Sequence, residues 1–216
     1  MTAFPKLLYL SGTQDFPGAD AFERRLRDLL AAGLPWFQLR DKALDDRALF
    51  DLAVKIREWT QRAGCLFTVN DRTDIALLSG ADGVHLGQTD LSALEPSFVR
   101  PRPDFHLGIS THNGAEVMRA LTVGPDYLGV GPIFPTRTKE TGVPPRGPGA
   151  LHETRALSPL PLVAIGGVTP DNGRELLEAG ADTLAISGVL TRSEDPVALL
   201  ATFLSLVASP PGLAPA

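Results

Sequence analysis

Short apolar segments alternate with longer amphipathic segments along the chain, and this alternation is the main structural signal in the sequence. Each apolar segment is hydrophobic at successive positions, which is typical of parallel strands that are buried on both faces. The pattern predicts eight strands. They are LLYL (7–10), WFQLR (36–40), LFTVN (66–70), GVHL (83–86), HLGIS (106–110), YLGVG (127–131), LVAIG (162–166) and TLAIS (183–187).

The amphipathic segments between these strands predict helices. They cover 19–32, 45–63, 74–79, 91–98, 114–123, 149–157, 171–179 and 196–207. Several helix ends carry residues suited to them, with glycine at C-termini and Asn or Thr-Pro at N-termini. These residues are Gly33, Gly80, Gly180, Asn113 and Thr169-Pro170.

Eight strand–helix alternations predict a single-domain α/β protein, a (β/α)8 TIM barrel, over residues 1–208. A doubly wound open sheet has the same alternation and is the competing architecture. The absence of a G-x-G-x-x-G segment and the repeated GAD before two strands favour the barrel. The segment 209–216 is rich in proline and lacks periodicity, so we expect a disordered tail.

Composition narrows the class of protein. Apolar residues make up 44% of the 216-residue chain and charged residues 21%, with a net charge of −5. This acidic balance argues against a nucleic-acid partner. No apolar run is long enough for a membrane span or a signal peptide. The single cysteine excludes an intramolecular disulfide and fits a reducing compartment, so we expect a cytoplasmic protein.

Two acidic residues follow neighbouring strands in the stretch 70–90, NDRTDIALLSGADGVHLGQTD. Asp71 comes directly after the third strand, and Asp90 comes shortly after the fourth. Parallel strands end on the same side of a sheet, so both carboxylates are expected to face one space. Mg2+ in proteins often binds one or two carboxylates together with waters and substrate phosphates. Taken singly, either acid is better explained as a helix N-cap than as a metal ligand.

A polar cluster marks the end of the second strand. Gln38, Arg40 and Lys42 are spaced by two residues, which directs them to one side while the strand persists. One amide and two cations suit phosphate oxygens. A solvated strand end is the alternative interpretation of this cluster. Together with the two acids, this polar cluster predicts a site that binds a diphosphate. Asn70 lies beside it on the adjacent strand.

The remaining strand ends carry a second group of polar residues. Ser110 and His112 end the fifth strand. The long segment after the sixth strand is more typical of a functional loop than of a plain connector, and it holds anion-binding side chains. Paired glycines or a serine after the last two strands are suited to a phosphate. These residues are Thr136, Thr138, Lys139, Gly167, Ile186 and Ser187.

Six motifs resemble those of the thiamine phosphate synthase family. They are QLRDK, NDRTDIAL, GADGVHLGQTD, GISTH, GVGPIFPTRTK and VAIGGVTPDN, and the likeness runs from Leu7 to Phe203. The resemblance implies a transferase that joins hydroxymethylpyrimidine diphosphate to a thiazole phosphate, giving thiamine monophosphate and pyrophosphate. It implies a Mg2+-assisted dissociative reaction, in which pyrophosphate leaves before the thiazole nitrogen attacks.

The resemblance also implies a role for each matching residue. Arg40, Ser110 and Lys139 would be the catalytic contacts of the leaving diphosphate. Asp71 and Asp90 would bind Mg2+. Further contacts with the pyrimidine diphosphate would come from Gln38, Lys42 and Asn70. Contacts with the thiazole phosphate would come from Thr136, Thr138, Gly167, Ile186 and Ser187.

Two positions depart from the family pattern. The first strand is followed by SGTQDF instead of a Thr-Asp pair, and Ser187 is followed by Gly188-Val189 instead of Ala-Ile. A glycine at the latter position also occurs in the related thiazole tautomerases, in which His112 would be the acid/base. A non-catalytic phosphate-binding regulator is a third alternative. The sequence leaves open the oligomeric state, with a homodimer as one alternative, and any lid function of 136–147.

Overall fold

Eight parallel strands pair in chain order and close into a barrel. The computed structural model describes residues 4–90, 104–136 and 143–209. The closing pair joins the first and last strands, with Leu7 opposite Leu184. The strands are β1 (Leu7–Ser11), β2 (Trp36–Leu39), β3 (Leu66–Asn70), β4 (Gly83–Leu86), β5 (His106–Thr111), β6 (Tyr127–Val130), β7 (Leu162–Ile165) and β8 (Thr183–Ile186). The predicted barrel is confirmed, and the open sheet is excluded.

Helices follow the strands and surround the barrel. They are α1 (Ala19–Ala31), α2 (Asp46–Ala63), α3 (Thr73–Leu78), α4 (Gly114–Val123), α5 (Gly149–Leu157), α6 (Pro170–Glu178), α7 (Gly188–Thr191) and α8 (Pro196–Ala208), with a short 3-10 turn at Thr13–Asp15. The sequence pattern did not predict α7 or the 3-10 turn. The predicted helix 91–98 lies outside the described residues, as does nearly all of the predicted tail. None of the described helices is long and apolar enough to cross a membrane.

Helix termini use the residues that the sequence indicated. The Asn113 side chain accepts a hydrogen bond from the Glu116 N–H at 2.9 Å and caps α4. Thr169 forms a capping box with Asn172 at the start of α6. Gly80 and Gly180 adopt positive φ angles just after their helices, a conformation that favours glycine.

The apolar core has two parts. The larger one fills the space between the barrel and the helices. A smaller cluster lies inside the barrel, where the Trp36 and Tyr127 rings meet edge to face at 5.0 Å and Phe4 packs on both. Because this inner cluster fills the barrel toward the N-terminal ends of the strands, the space that remains lies toward their C-terminal ends.

Candidate active site

A cavity of about 550 Å³ opens at the C-terminal end of the barrel. All eight strands contribute to its wall, and so do the segments that follow β5 to β8. Its inner surface is apolar, with Leu8, Val163 and Ala185, whereas its mouth is polar. The volume lies within the range of small-ligand sites. Active sites of this barrel fold form at this end.

The segment after β1 fixes the cationic residues that follow β2. The Arg40 N–H donates to the Ser11 carbonyl at 2.9 Å, which extends the β1–β2 ladder. The Gln14 amide donates to the Arg40 carbonyl at 2.9 Å and accepts from the Lys42 N–H at 3.1 Å. A Cβ on Gly12 would lie 2.4 Å from the Arg40 carbonyl, so only glycine permits this approach. The unusual SGTQDF segment therefore anchors the β2 loop.

The two acids come together beside Lys42. Asp71 adopts a left-handed φ of 64°, which Asp tolerates better than most side chains, and its N–H donates to the His85 carbonyl at 2.8 Å. The Asp71 carboxylate accepts from the Lys42 ammonium. Asp90 Oδ2 accepts from the Gly87 N–H at 2.8 Å. Burial is the main cause that raises the pKa of Asp90, and the nearby charge of Asp71 raises it further.

This donor set fits a hard divalent cation. Two carboxylates share one space, and a side-chain ammonium already lies against one of them. Within the described ranges, no cluster of three or more His, Cys, Asp or Glu side chains is placed to hold a metal. Two carboxylates alone suit Mg2+, which takes its other ligands from water and from substrate phosphates.

A chain of hydrogen bonds crosses the barrel interior to Ser110. The Tyr127 hydroxyl lies 3.1 Å from His85 Nδ1, and His85 Nε2 lies 2.8 Å from Ser110 Oγ. Burial raises the pKa of the Tyr127 phenol, so its hydroxyl stays protonated. When that hydroxyl donates to Nδ1, Nε2 carries the ring hydrogen and donates to Ser110. The serine hydrogen is then free for a ligand.

The opposite side of the cavity presents backbone and small side chains. Gly167 has a φ of 65°, and a Cβ there would lie 2.7 Å from the Pro135 carbonyl. The Asn172 amide donates to the Gly167 carbonyl at 2.9 Å, which fixes this turn. Ser187 Oγ is buried and has no hydrogen-bond partner in the described part of the chain. A buried hydroxyl without a partner is suited to a ligand oxygen.

His112 also lines the cavity. Its Nδ1 lies 2.8 Å from Glu116 Oε2, and the same carboxylate accepts from its backbone N–H at 2.8 Å. The sequence did not reveal this orienting carboxylate, although Glu116 lies only four residues further along the chain.

Comparisons with known proteins agree on one family. The sequence matches the family described as Thiamine monophosphate synthase over residues 7–190. It is 44% identical over 168 residues to the thiamine-phosphate synthase of Methanoregula boonei, covering 78% of this chain and 77% of the relative. The corresponding protein of Methanoculleus marisnigri is 45% identical over 168 residues, covering 78% and 79%.

A solved structure gives the same result. The thiamine phosphate pyrophosphorylase of Pyrococcus furiosus superimposes with a TM-score of 0.81 at 29% identity, covering 94% of this chain and 96% of that one. The chain belongs to the thiamine monophosphate synthase family. The resemblance predicted from the motifs is confirmed, and with it the prediction of an enzyme of thiamine biosynthesis, a transferase that forms thiamine monophosphate.

In this thiamine monophosphate synthase family member, many of the residues that the sequence singled out lie around one cavity. Those that line it are Gln38, Arg40, Asn70, Ser110, Thr136, Gly167 and Ser187. Lys42, Asp71 and Asp90 do not line it but form the adjoining cluster described above. Ile186 is the last residue of β8, directly before Ser187. Thr138 and Lys139 lie outside the described residues, as does most of the loop 136–147.

Sequence reasoning missed two side chains of the network, His85 and Tyr127, because both lie within apolar strands. A signal for them was present in the neighbouring strands. A Cβ on Gly108 would lie 2.0 Å from the Tyr127 ring, and one on Gly129 would lie 3.0 Å from the His85 ring. Glycine inside a strand often marks such a close approach.

Proposed function

We propose that this enzyme joins hydroxymethylpyrimidine diphosphate to a thiazole phosphate with the help of Mg2+, giving thiamine monophosphate and pyrophosphate. The observation that carries the proposal is the cluster of Asp71 and Asp90 beside Lys42, next to a cavity lined by Arg40. A carboxylate pair close to two cations is suited to a metal-bound diphosphate. A binder of one simple phosphate ester would not need the acids.

The acids have a specific task in this proposal. Asp71 and Asp90 would hold Mg2+, which, when bound, neutralises charge on the diphosphate and so favours its departure. Lys42 would then move from Asp71 to a diphosphate oxygen. Because the Lys42 side chain is 55% exposed, this exchange needs little rearrangement.

Arg40 and Ser110 would stabilise the leaving group. Arg40 is suited to bidentate contact with diphosphate oxygens, and Ser110 would donate the hydrogen that the His85 contact leaves free. Lys139 would add a further cation. Donors fixed in advance where negative charge grows are the main source of rate in such a reaction. The carbon–oxygen bond to the diphosphate breaks first, and the thiazole nitrogen then attacks the pyrimidine methylene cation, so no protein nucleophile is required.

The thiazole phosphate would occupy the opposite wall. Gly167, Ile186 and Ser187 offer backbone groups and one buried hydroxyl there, and Thr136 and Thr138 would add two hydroxyls. Seated on this wall, the thiazole would face the pyrimidine across the cavity, with its nitrogen directed at the carbon that loses the diphosphate.

The test is product formation from both substrates with Mg2+ or with excess chelator. We expect the chelator to abolish turnover in the wild-type enzyme. The double variant Asp71→Asn/Asp90→Asn should lose at least about a hundredfold in kcat, because both carboxylates that would bind the metal lose their charge. Asparagine tolerates the left-handed backbone at position 71 and retains an acceptor for the Gly87 N–H at position 90, so the fold should be kept. Full rate in either experiment would contradict the metal proposal.

A thiazole tautomerase is the second candidate, and the His112–Glu116 contact favours it. A histidine at the cavity wall with an orienting carboxylate is suited to proton transfer. We expect His112→Ala to keep the rate of thiamine monophosphate synthesis within about threefold of wild type, because the dissociative reaction needs no base at that position. A folded His112→Ala enzyme that had lost all turnover, including proton exchange on the thiazole phosphate, would support the tautomerase instead.

A further inference from the structure

Arg192 occupies space that exists only because residue 188 is glycine. It directly follows α7, and its guanidinium lies over the Gly188 backbone. A Cβ on Gly188 would be 2.5 Å from Nη1, 2.7 Å from Nη2 and 2.9 Å from Cζ. Gly188 is one of the two positions at which the sequence departs from the family pattern. The departure therefore has a structural consequence, which is room for a cation.

The guanidinium is available to a ligand. Arg192 lines the cavity, together with Ser187 and Gly188. In the described ranges, no acidic side chain forms an ion pair with it, although Glu194 and Asp195 are close in sequence.

The local fold does not need this charge. Arg25 holds the turn after α7, donating from Nη1 to the Leu190 carbonyl at 2.8 Å and to the Ser193 carbonyl at 3.2 Å. Arg192 is therefore a cation in the cavity wall, and the turn beside it is held by Arg25 instead.

We propose that Arg192, in the space provided by Gly188, binds the phosphate of the thiazole substrate next to Ser187 Oγ. The proposal rests on the proposed function. On this wall Ser187 and the glycine backbone offer only neutral donors, whereas a guanidinium adds a full charge and a planar fork that matches two phosphate oxygens. Ser187 Oγ, buried and without a partner in the described chain, lies one residue from Gly188 and is suited to a third oxygen.

Two substitutions test the proposal by different routes. Arg192→Gln removes the charge. Gly188→Ala keeps the arginine but displaces its guanidinium, the flexible end of a long side chain, so the backbone need not move. We expect each to raise the KM for the thiazole phosphate about tenfold, as for loss of one charged hydrogen-bonding partner, and to leave the KM for the pyrimidine diphosphate within about twofold. The KM of Arg192→Lys for the thiazole phosphate should lie between the values of the wild type and Arg192→Gln.

Arg47→Gln is the matched control. It removes the same charge from an exposed position on α2, where Arg47 pairs only with Asp51. Both KM values should stay at the wild-type level. An unchanged KM for both substrates in Arg192→Gln would overturn the proposal. A rise in the KM for the pyrimidine diphosphate alone would also overturn it, since the cation would then serve the other substrate.

Calorimetric titration of the full-length enzyme with thiazole phosphate provides a readout that is independent of turnover. The dissociation constant should rise about tenfold in Arg192→Gln and in Gly188→Ala, and added salt should weaken wild-type binding more than variant binding. Equal affinity of wild type and Arg192→Gln would overturn the proposal. Wild-type enzyme that binds the thiazole phosphate but makes no product would instead count against the proposed function alone.

Discussion

At the scale of single residues, the most informative side chain is one that the sequence placed in the core. His85 is buried in β4, and both of its ring nitrogens have partners, Tyr127 on one side and Ser110 on the other. A histidine held at both nitrogens has a fixed orientation, and its tautomer follows from which of the two hydroxyls donates to the ring. It therefore fixes the rotamer of the serine that we assign to the diphosphate. His85 is a positioning residue in this view.

Two amide substitutions separate the contacts of His85. Glutamine places its amide near the former Nε2 and can still reach Ser110, whereas asparagine places it near Nδ1 and cannot. We expect His85→Asn to lower kcat/KM for the pyrimidine diphosphate about tenfold and His85→Gln to lower it less, because only the glutamine keeps the serine in place. The KM for the thiazole phosphate should not change. Steady-state kinetics with each substrate varied in turn measures both.

A double-mutant cycle provides the control for His85. If His85 acts through Ser110, then His85→Asn should lower kcat/KM for the pyrimidine diphosphate very little in an enzyme that already carries Ser110→Ala. Fold losses that multiply across the two positions would show that His85 acts independently of the serine.

At the scale of elements, the apolar pattern predicted nearly every strand and helix boundary to within a residue, and the reason is physical. Strands of a closed parallel barrel are buried on both faces and read as continuous apolar runs, as in β4, where all four residues are buried. The same double burial hides which face points inward. Val84 and Leu86 pack in the outer core while His85 points to the interior, and the sequence treats them alike. The one-turn α7 escaped prediction because it is too short to show periodicity.

The N-terminal end of the barrel repeats one device. Asp82, Asp126 and Asp182 each precede a strand, and each accepts a hydrogen bond from a backbone N–H of the preceding strand at 2.8 Å. Arg57 of α2 also pairs with Asp82, and Arg155 of α5 with Asp182. Asp82 and Asp182 therefore each connect a helix to the start of a strand, at the end of the barrel away from the cavity. The repeated GAD of the sequence corresponds to these two residues.

Removal of one of these aspartates should lower the stability of the protein without lowering its catalytic activity. Asp82→Ala leaves the Phe67 N–H without its acceptor and Arg57 without its partner, so we expect the free energy of unfolding to fall by about 1–3 kcal/mol. Urea unfolding followed by circular dichroism measures the change. Asp51→Ala, which removes an exposed partner of Arg47, should cost less than about 0.5 kcal/mol.

Activity provides the second half of this test. The folded Asp82→Ala enzyme should keep its kcat at 25 °C, because the acid lies at the far end of the barrel from the cavity. An unchanged unfolding midpoint would contradict the structural role, and a loss of kcat at unchanged stability would contradict its separation from the site.

At the scale of the whole molecule, closure of the barrel places two kinds of anion site across one cavity. The diphosphate side follows β2, β3 and β4, where the cations and acids lie. The thiazole phosphate side follows β7 and β8, with Gly167, Ser187 and Arg192. In a ring of eight strands, β4 faces β8 and β3 faces β7. Facing sites allow two anionic substrates to bind without bringing their charges together.

This arrangement predicts independence across the cavity and coupling within each side. Asp90→Asn and Arg192→Gln change opposite sides, so their fold losses in kcat/KM should multiply to within about twofold in the double variant. Asp71→Asn and Asp90→Asn change the same carboxylate cluster. When both are combined, the second substitution should lower kcat/KM far less than it does alone, because the loss of one carboxylate already weakens metal binding. Steady-state kinetics of the three single variants and the two double variants measures both relations. Strong coupling between Asp90 and Arg192 would mean that a single anion spans the cavity, and the assignment of one phosphate group to each wall would then be wrong.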